Sequence, residues 1–184
     1  MLSDQEGYYL DIAASALDDA SGNSYGGINN SATLNFTAAD VSGPTLSSSS
    51  PADNATGVAA GANIVLTFNE NVVAGSGNIT LKKSSDNSTV QAMPVGGANV
   101  SISGAVVTIN PTANLDSSEA YYVQIAATAF DDASGNSYAG ISDTTSLSFT
   151  AADTVGPTMV ITSTTSGVSS GVATNDSTIN LTFT

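Results

Sequence analysis

Tyr121-Tyr122-Val123-Gln124-Ile125-Ala126-Ala127 is already spelled once near the start of the chain, as Tyr8-Tyr9-Leu10-Asp11-Ile12-Ala13-Ala14. Each copy alternates, with Tyr, Val/Leu and Ile on one side. Alternation with period two is the mark of a half-buried β-strand. Gln124 is matched by Asp11, an exchange that an inward position would not tolerate, so this side faces out. Tyr122 and Tyr9 fall on that outward side as well.

The duplication extends well beyond the strand. Residues 8–45 align with 121–158 without a gap, at an offset of 113, and 25 of the 38 positions are identical. Both copies run through DDASGNSY, at 18–25 and 131–138, then FTAAD and GPT. After each GPT comes a second echo: Ile64-Val65-Leu66-Thr67-Phe68 returns as Ile179-Asn180-Leu181-Thr182-Phe183. A period this long means an array of whole domains. The phase divides the chain into the tail of one repeat at 1–42, a complete repeat at 43–155 and the head of another at 156–184. The sequence therefore reads as a piece of a longer array.

Further alternation marks strands at Ile64–Phe68, Ile79–Lys82, Val100–Ser103, Val107–Ile109 and Leu147–Thr150. Turn-forming runs separate them: PADNATG at 51–57, AGSGN at 74–78, SSDN at 84–87, PVGG at 94–97 and NLDSSE at 114–119. Many short strands, Gly- and Asn-rich turns and no helical pattern predict an all-β, antiparallel Ig-like β-sandwich in tandem array, one complete repeat flanked by two partial ones. Tyr121, six residues after Leu115, is placed to form a tyrosine corner, its hydroxyl bonded to backbone upstream.

The tail at 8–42 resembles 121–155 closely enough to compete for the core of 44–112. Folding back within one chain would mean crossing about 35–40 Å, or roughly 12 extended residues. Few are free near 40–44. Exchange of strands between two chains avoids that limit.

Composition narrows the function. Sixteen acidic residues face two basic ones, Lys82 and Lys83, for a net charge of −14. Such a surface repels nucleic acid and anionic lipid and attracts cations. With neither His nor Cys, the chain lacks ordinary zinc ligands, disulfides, Cys nucleophiles and His general bases. A Ser nucleophile would have only Lys82 or Lys83 beside it, so no enzyme is expected. No apolar run approaches the roughly 20 residues of a membrane span, and MLSDQEGYYL lacks the basic and apolar regions of a signal peptide. An export signal is expected outside this stretch.

Residues 43–153, with GPTLSSSSPADNATGVAAGANIVLTFNENV, GSGNITL, NLDSSEAYYVQI and DDASGN, resemble a bacterial Ig-like repeat of the type found in S-layer proteins and large secreted adhesins. Residues 8–42 match it in part. Residues 156–184 resemble the opening of a related repeat without the PADNATG segment. The resemblance implies a spacer or presentation module at the cell surface or outside the cell, whose partners are neighbouring repeats. It also implies that some relatives are stiffened by calcium between domains.

The acidic residues admit two readings. In DDASGNSY, Asp131, Asp132, Ser134 and Asn136 offer oxygens suited to Ca²⁺. The same residues also make a plain tight turn in which Gly135 or Asn136 takes a positive φ. At the linkers, Asp40 in AADVSGPT and Asp153 in AADTVGPT could meet carboxylates from an adjacent end loop and hold Ca²⁺ between domains. The candidate calcium ligands are thus Asp40, Asp131, Asp132, Asn136 and Asp153. A rival reading makes the repeats adhesive, binding carbohydrate or another surface ligand through outward tyrosines such as Tyr9 and Tyr122, or Tyr25 and Tyr138 after the repeated turn.

Overall fold

The computed structural model describes residues 2–163 and 179–183. Fifteen strands are present among the described residues: β1 (Gly7–Tyr9), β2 (Asn35–Thr37), β3 (Leu46–Ser50), β4 (Ala55–Val58), β5 (Ile64–Phe68), β6 (Val73–Ala74), β7 (Asn78–Lys83), β8 (Thr89–Pro94), β9 (Val100–Ser103), β10 (Val106–Ile109), β11 (Ala120–Ile125), β12 (Phe130–Asp131), β13 (Ser148–Ala151), β14 (Met159–Ser163) and β15 (Ile179–Phe183). No helix among the described residues is long and apolar enough to cross a membrane.

Two sheets face each other in the central part. One has the order β3-β5-β10-β9, the other β4-β13-β11-β7-β8, and a short pair, β12-β6, closes one end. Pairing is antiparallel throughout except between β13 and β4, which run parallel. The inward residues are those the alternation selects: Leu66 and Val107 from one sheet, Leu81, Val123 and Phe149 from the other, all buried. The core cluster draws its members from Leu46 to Ala151. β11 and β13 of the 121–151 copy close this core. The tyrosine corner is formed, with the Asp116 amide donating to Tyr121 Oη at 2.7 Å.

Of the strands absent from the sequence reading, three of the central sheets have a plain physical reason. β3 is a serine run with one apolar residue, Leu46, and shows no alternation. β4 lies partly inside the PADNATG stretch expected to be all turn. The turn is real, with Asn54 at φ 61° and Gly57 at φ 70°. It is also fastened to β13, because Asp53 accepts from the Ser148 amide and hydroxyl and the Asn54 amide donates to Ser148 O. That fastening lines Ala55–Val58 up with the sheet edge. β8 is disguised by a register shift opposite Leu81 and Lys82, which breaks its period.

Tyr122 corrects the outward-facing expectation. It does lie opposite Tyr121, outside the core cluster, yet it is 2% exposed. Its ring lies under the Lys82 ammonium, 5.7 Å from the centroid, and its hydroxyl donates to Asn87 Oδ1 at 3.1 Å. The SSDN turn and Lys82 cover it.

Outside the central sandwich, β1 pairs with β2 and β14 with β15. The segment read as the head of a further repeat is described at 156–163 and 179–183; residues 164–178 and 184 lie outside the described residues.

Candidate cation site at the linker

The repeated DDASGNSY motif is a turn built around its second aspartate. Asp132 accepts from the amides of Ser134 and Asn136, both at 2.8 Å, and from Asn136 Nδ2 at 2.7 Å, while Gly135 takes φ 88°. Burial raises the pKa of Asp132, but the Asn136 side chain and the surrounding amides outweigh it, so the carboxyl is held below the usual carboxylate range. The turn half of the sequence reading therefore holds, with Gly135 rather than Asn136 in the left-handed region.

Packing decides where this turn sits. Phe68, at the end of β5, meets Phe130 and Tyr138, each at 5.2 Å between ring centroids, on either side of the turn. The β12-β6 pair adds Phe130↔Ala74 and Asp131↔Val73. Both devices pin the turn against the stretch just after β5, and Glu70 lies in that stretch.

The linker then comes to the turn. Asn136 Nδ2 donates to Asp40 O and Ser134 Oγ to Asp40 Oδ2, each at 3.3 Å. Gly43 is required here, because a Cβ on it would collide with Ser137 O. From the other side, Gln5 Nε2 donates to Asp40 Oδ2 at 2.5 Å and the Val41 amide to Asp4 Oδ1 at 2.9 Å. The linker is thus gripped by residues on both of its sides in the sequence.

This grip assembles the carboxylates. Oxygens of Asp40, Glu70 and Asp132 all lie within 4.8 Å of one another. Asp40 and Glu70 border a cleft of about 520 Å³, lined also by Gln5, Thr37, Asn71 and the turn residues Ala133 and Ser134. Burial pushes the pKa of Glu70 up, and the negative charges of Asp132, Asp40 and Asp4 push it further. Carboxylate oxygens at this spacing are donors of the kind a hard cation such as Ca²⁺ takes.

Of the residues singled out from sequence, Asp40, Asp132 and Asn136 come together. Asp131 and Asp153 do not join them. Asp131 is occupied by the Ser137 hydroxyl at 2.5 Å, on the β6 side of the turn. Asp153 belongs to the other linker, where it accepts from Ser117 Oγ and the Val155 amide, both at 3.0 Å, and these lower its pKa. Glu70 and Asp4 were missed. Glu70 is legible only once the end of β5 is placed beside the turn. Asp4 aligns with Ser117 in the second copy, so comparison of the copies hides it.

No curated protein gives a significant match to the chain. A family model described as bacterial Ig-like domain matches residues 40–151, beginning at the linker aspartate and ending at the last strand of the central sandwich. Domains of this family are typically non-catalytic structural modules, usually of surface proteins. The two facing sheets, the tyrosine corner and this match together show that the chain belongs to the bacterial Ig-like domain family.

Proposed function

We propose that the chain is a spacing and presentation segment of a large exported, cell-surface or adhesin-like protein, with residues 1–42, 43–155 and 156–184 as consecutive Ig-like repeats, the outer two partial. Calcium stiffens the junction at Asp40. The observation that carries this reading is the meeting of Asp40, from the linker, with Glu70 and Asp132, from the central sandwich. A cation bridging them would tie the linker to the next repeat and relieve the repulsion that raises the pKa of Glu70. The direct grip of Asn136 and Ser134 on Asp40 supports a defined junction even before metal enters.

Thermal melting in EDTA and in added Ca²⁺ tests the metal. A ligand at 100 times its Kd adds about 2.7 kcal/mol to the folded state. The expected result is a rise in Tm with Ca²⁺ that Asp40→Ala and Glu70→Gln each remove. An unchanged Tm across the titration retires calcium.

The adhesive alternative has less to stand on. Tyr122 and Tyr138 are buried, so of the tyrosines it names only Tyr9 and Tyr25, both on residues 2–38, are exposed, and the cleft at Asn78, Thr80, Gln124 and Ser142 is lined by no aromatic ring on which a sugar could stack. A glycan array separates the two: a spacer leaves it blank.

A further inference from the structure

Residues 2–38 reproduce the fold of residues 115–151 almost bond for bond, and leave its inner face bare. The hairpin register is the same, Tyr8↔Phe36 in one copy and Tyr121↔Phe149 in the other. The rings stack alike, at 5.8 and 6.0 Å. The bridges Ile12↔Ile28 and Asp18↔Ser24 repeat Ile125↔Ile141 and Asp131↔Ser137. Yet Leu10, Leu17, Tyr25, Leu34 and Phe36 are 42–60% exposed, whereas their counterparts Val123, Phe130, Tyr138, Leu147 and Phe149 are 0–7% exposed. What buries the second set is the sheet β3-β5-β10-β9 together with β7 and β8.

A second feature points the same way. The turn at Asp18–Tyr25 is already formed, with Asp19 accepting from the Ser21 and Asn23 amides and Asn23 Nδ2 at 2.8–2.9 Å, matching Asp132. In the second copy, the side chains equivalent to Ser21 and Asn23 are those that hold Asp40.

We infer that residues 2–38 are a preformed docking surface for an opening half-repeat, a segment with the pattern of Asp40–Ile109 supplied by the same polypeptide on the N-terminal side of Met1. Its linker aspartate seats on the Asp18–Tyr25 turn, and its apolar strands cover Leu10, Leu17 and Phe36. A second copy is the poorer occupant. Among the described residues each chain carries two closing halves, one full opening half, 43–113, already packed on its own 120–151, and of the opening segment at 156–184 only the two strands β14 and β15, which lack the four-stranded sheet that covers the second copy. Lending 43–113 to another chain would bare as much apolar surface as it covers. This inference rests on the tandem reading and is independent of calcium.

The test is a fusion that places a copy of residues 40–113 directly before Met1, which by the alignment restores the natural repeat length. Amide exchange across Tyr8–Thr37 and binding of an apolar dye are compared with the unmodified chain. The expected outcome is exchange slowed by at least about 100-fold, loss of dye binding and a monomeric product, all reversed when the added copy carries Leu66→Asp. Unchanged exchange in the fusion overturns the inference. So does an unmodified chain that is dimeric and already protected at Tyr8–Thr37, because a second copy is then the occupant. A failed calcium titration with a protected fusion would sink the metal and leave this surface standing.

Discussion

Glu70 is pulled in two directions. Its position is held by the end of β5, but its surroundings are the carboxylates of Asp132, Asp40 and Asp4. A carboxyl whose pKa is raised on folding stabilises the folded chain at pH below its unfolded value, and that contribution is lost as pH rises through the raised value. Without metal, Glu70→Gln is therefore expected to raise Tm at neutral pH by about 2–5 °C, the effect of roughly 1 kcal/mol or less in a domain of this size. The gain should fade as pH falls below the ordinary Glu range, where the carboxyl is protonated in both states. Asp132 behaves oppositely: its lowered pKa contributes stability above the ordinary Asp value that is lost on acidification through the lower one. Metal-free melting curves of wild type, Glu70→Gln and Asp132→Asn, taken from pH 3 to 8, check both signs. Tyr121→Phe probes a plainer role. It strands the Asp116 amide and should cost about 1–2 kcal/mol by denaturant unfolding, with no effect on any calcium response.

At the level of elements, a ring trio and a glycine place the linker. Phe68, Phe130 and Tyr138 hold the DDASGNSY turn against the end of β5, and Gly43 lets the linker lie flat on it. Gly43→Ala is expected to push the linker off Ser137, costing about 1–3 kcal/mol and broadening NMR signals of residues 40–43 while the core shifts of β5 and β10 stay put. Leu66→Ala, at the centre of the sandwich, should instead cost about 2–5 kcal/mol across the whole central repeat. The strands that could be read from sequence are those that bury one face: Ile64–Phe68 and Ala120–Ile125 show period two because every second residue enters the core. β3 and β4 stand at sheet edges. β3 carries serine and β4 the residues of a turn, so their pairing comes from tertiary contacts. The same limit applied to the site. Asp40, Asp132 and Asn136 were visible as repeated polar residues, whereas Glu70 needed the topology and Asp4 was masked by Ser117 in the other copy.

For the whole molecule, the tandem reading proposed above makes the gripped linker a means of setting a preferred angle between residues 2–38 and the central sandwich. Solution scattering is expected to give a narrower distribution of lengths in Ca²⁺ than in EDTA, and Asp40→Ala should give the broad distribution in both. Equal distributions for wild type in the two buffers would remove calcium from the junction. The two linkers are not equivalent: Asp4 stands beside Asp40, but Ser117 stands beside Asp153.

The scarcity of basic residues has one more consequence. Both lysines lie at the end of β7, hydrogen-bonded between β11 and β8. Lys83 is tied to Asp116 at 2.6 Å, and Lys82 rests over Tyr122. A trypsin-like protease needs an extended, detached stretch on either side of a basic residue, and this chain of 184 residues offers it two addresses, both inside a five-stranded sheet. Digestion must wait until that sheet comes apart. The chain is therefore built to outlast such enzymes, and the first tryptic cut marks the moment the central repeat opens.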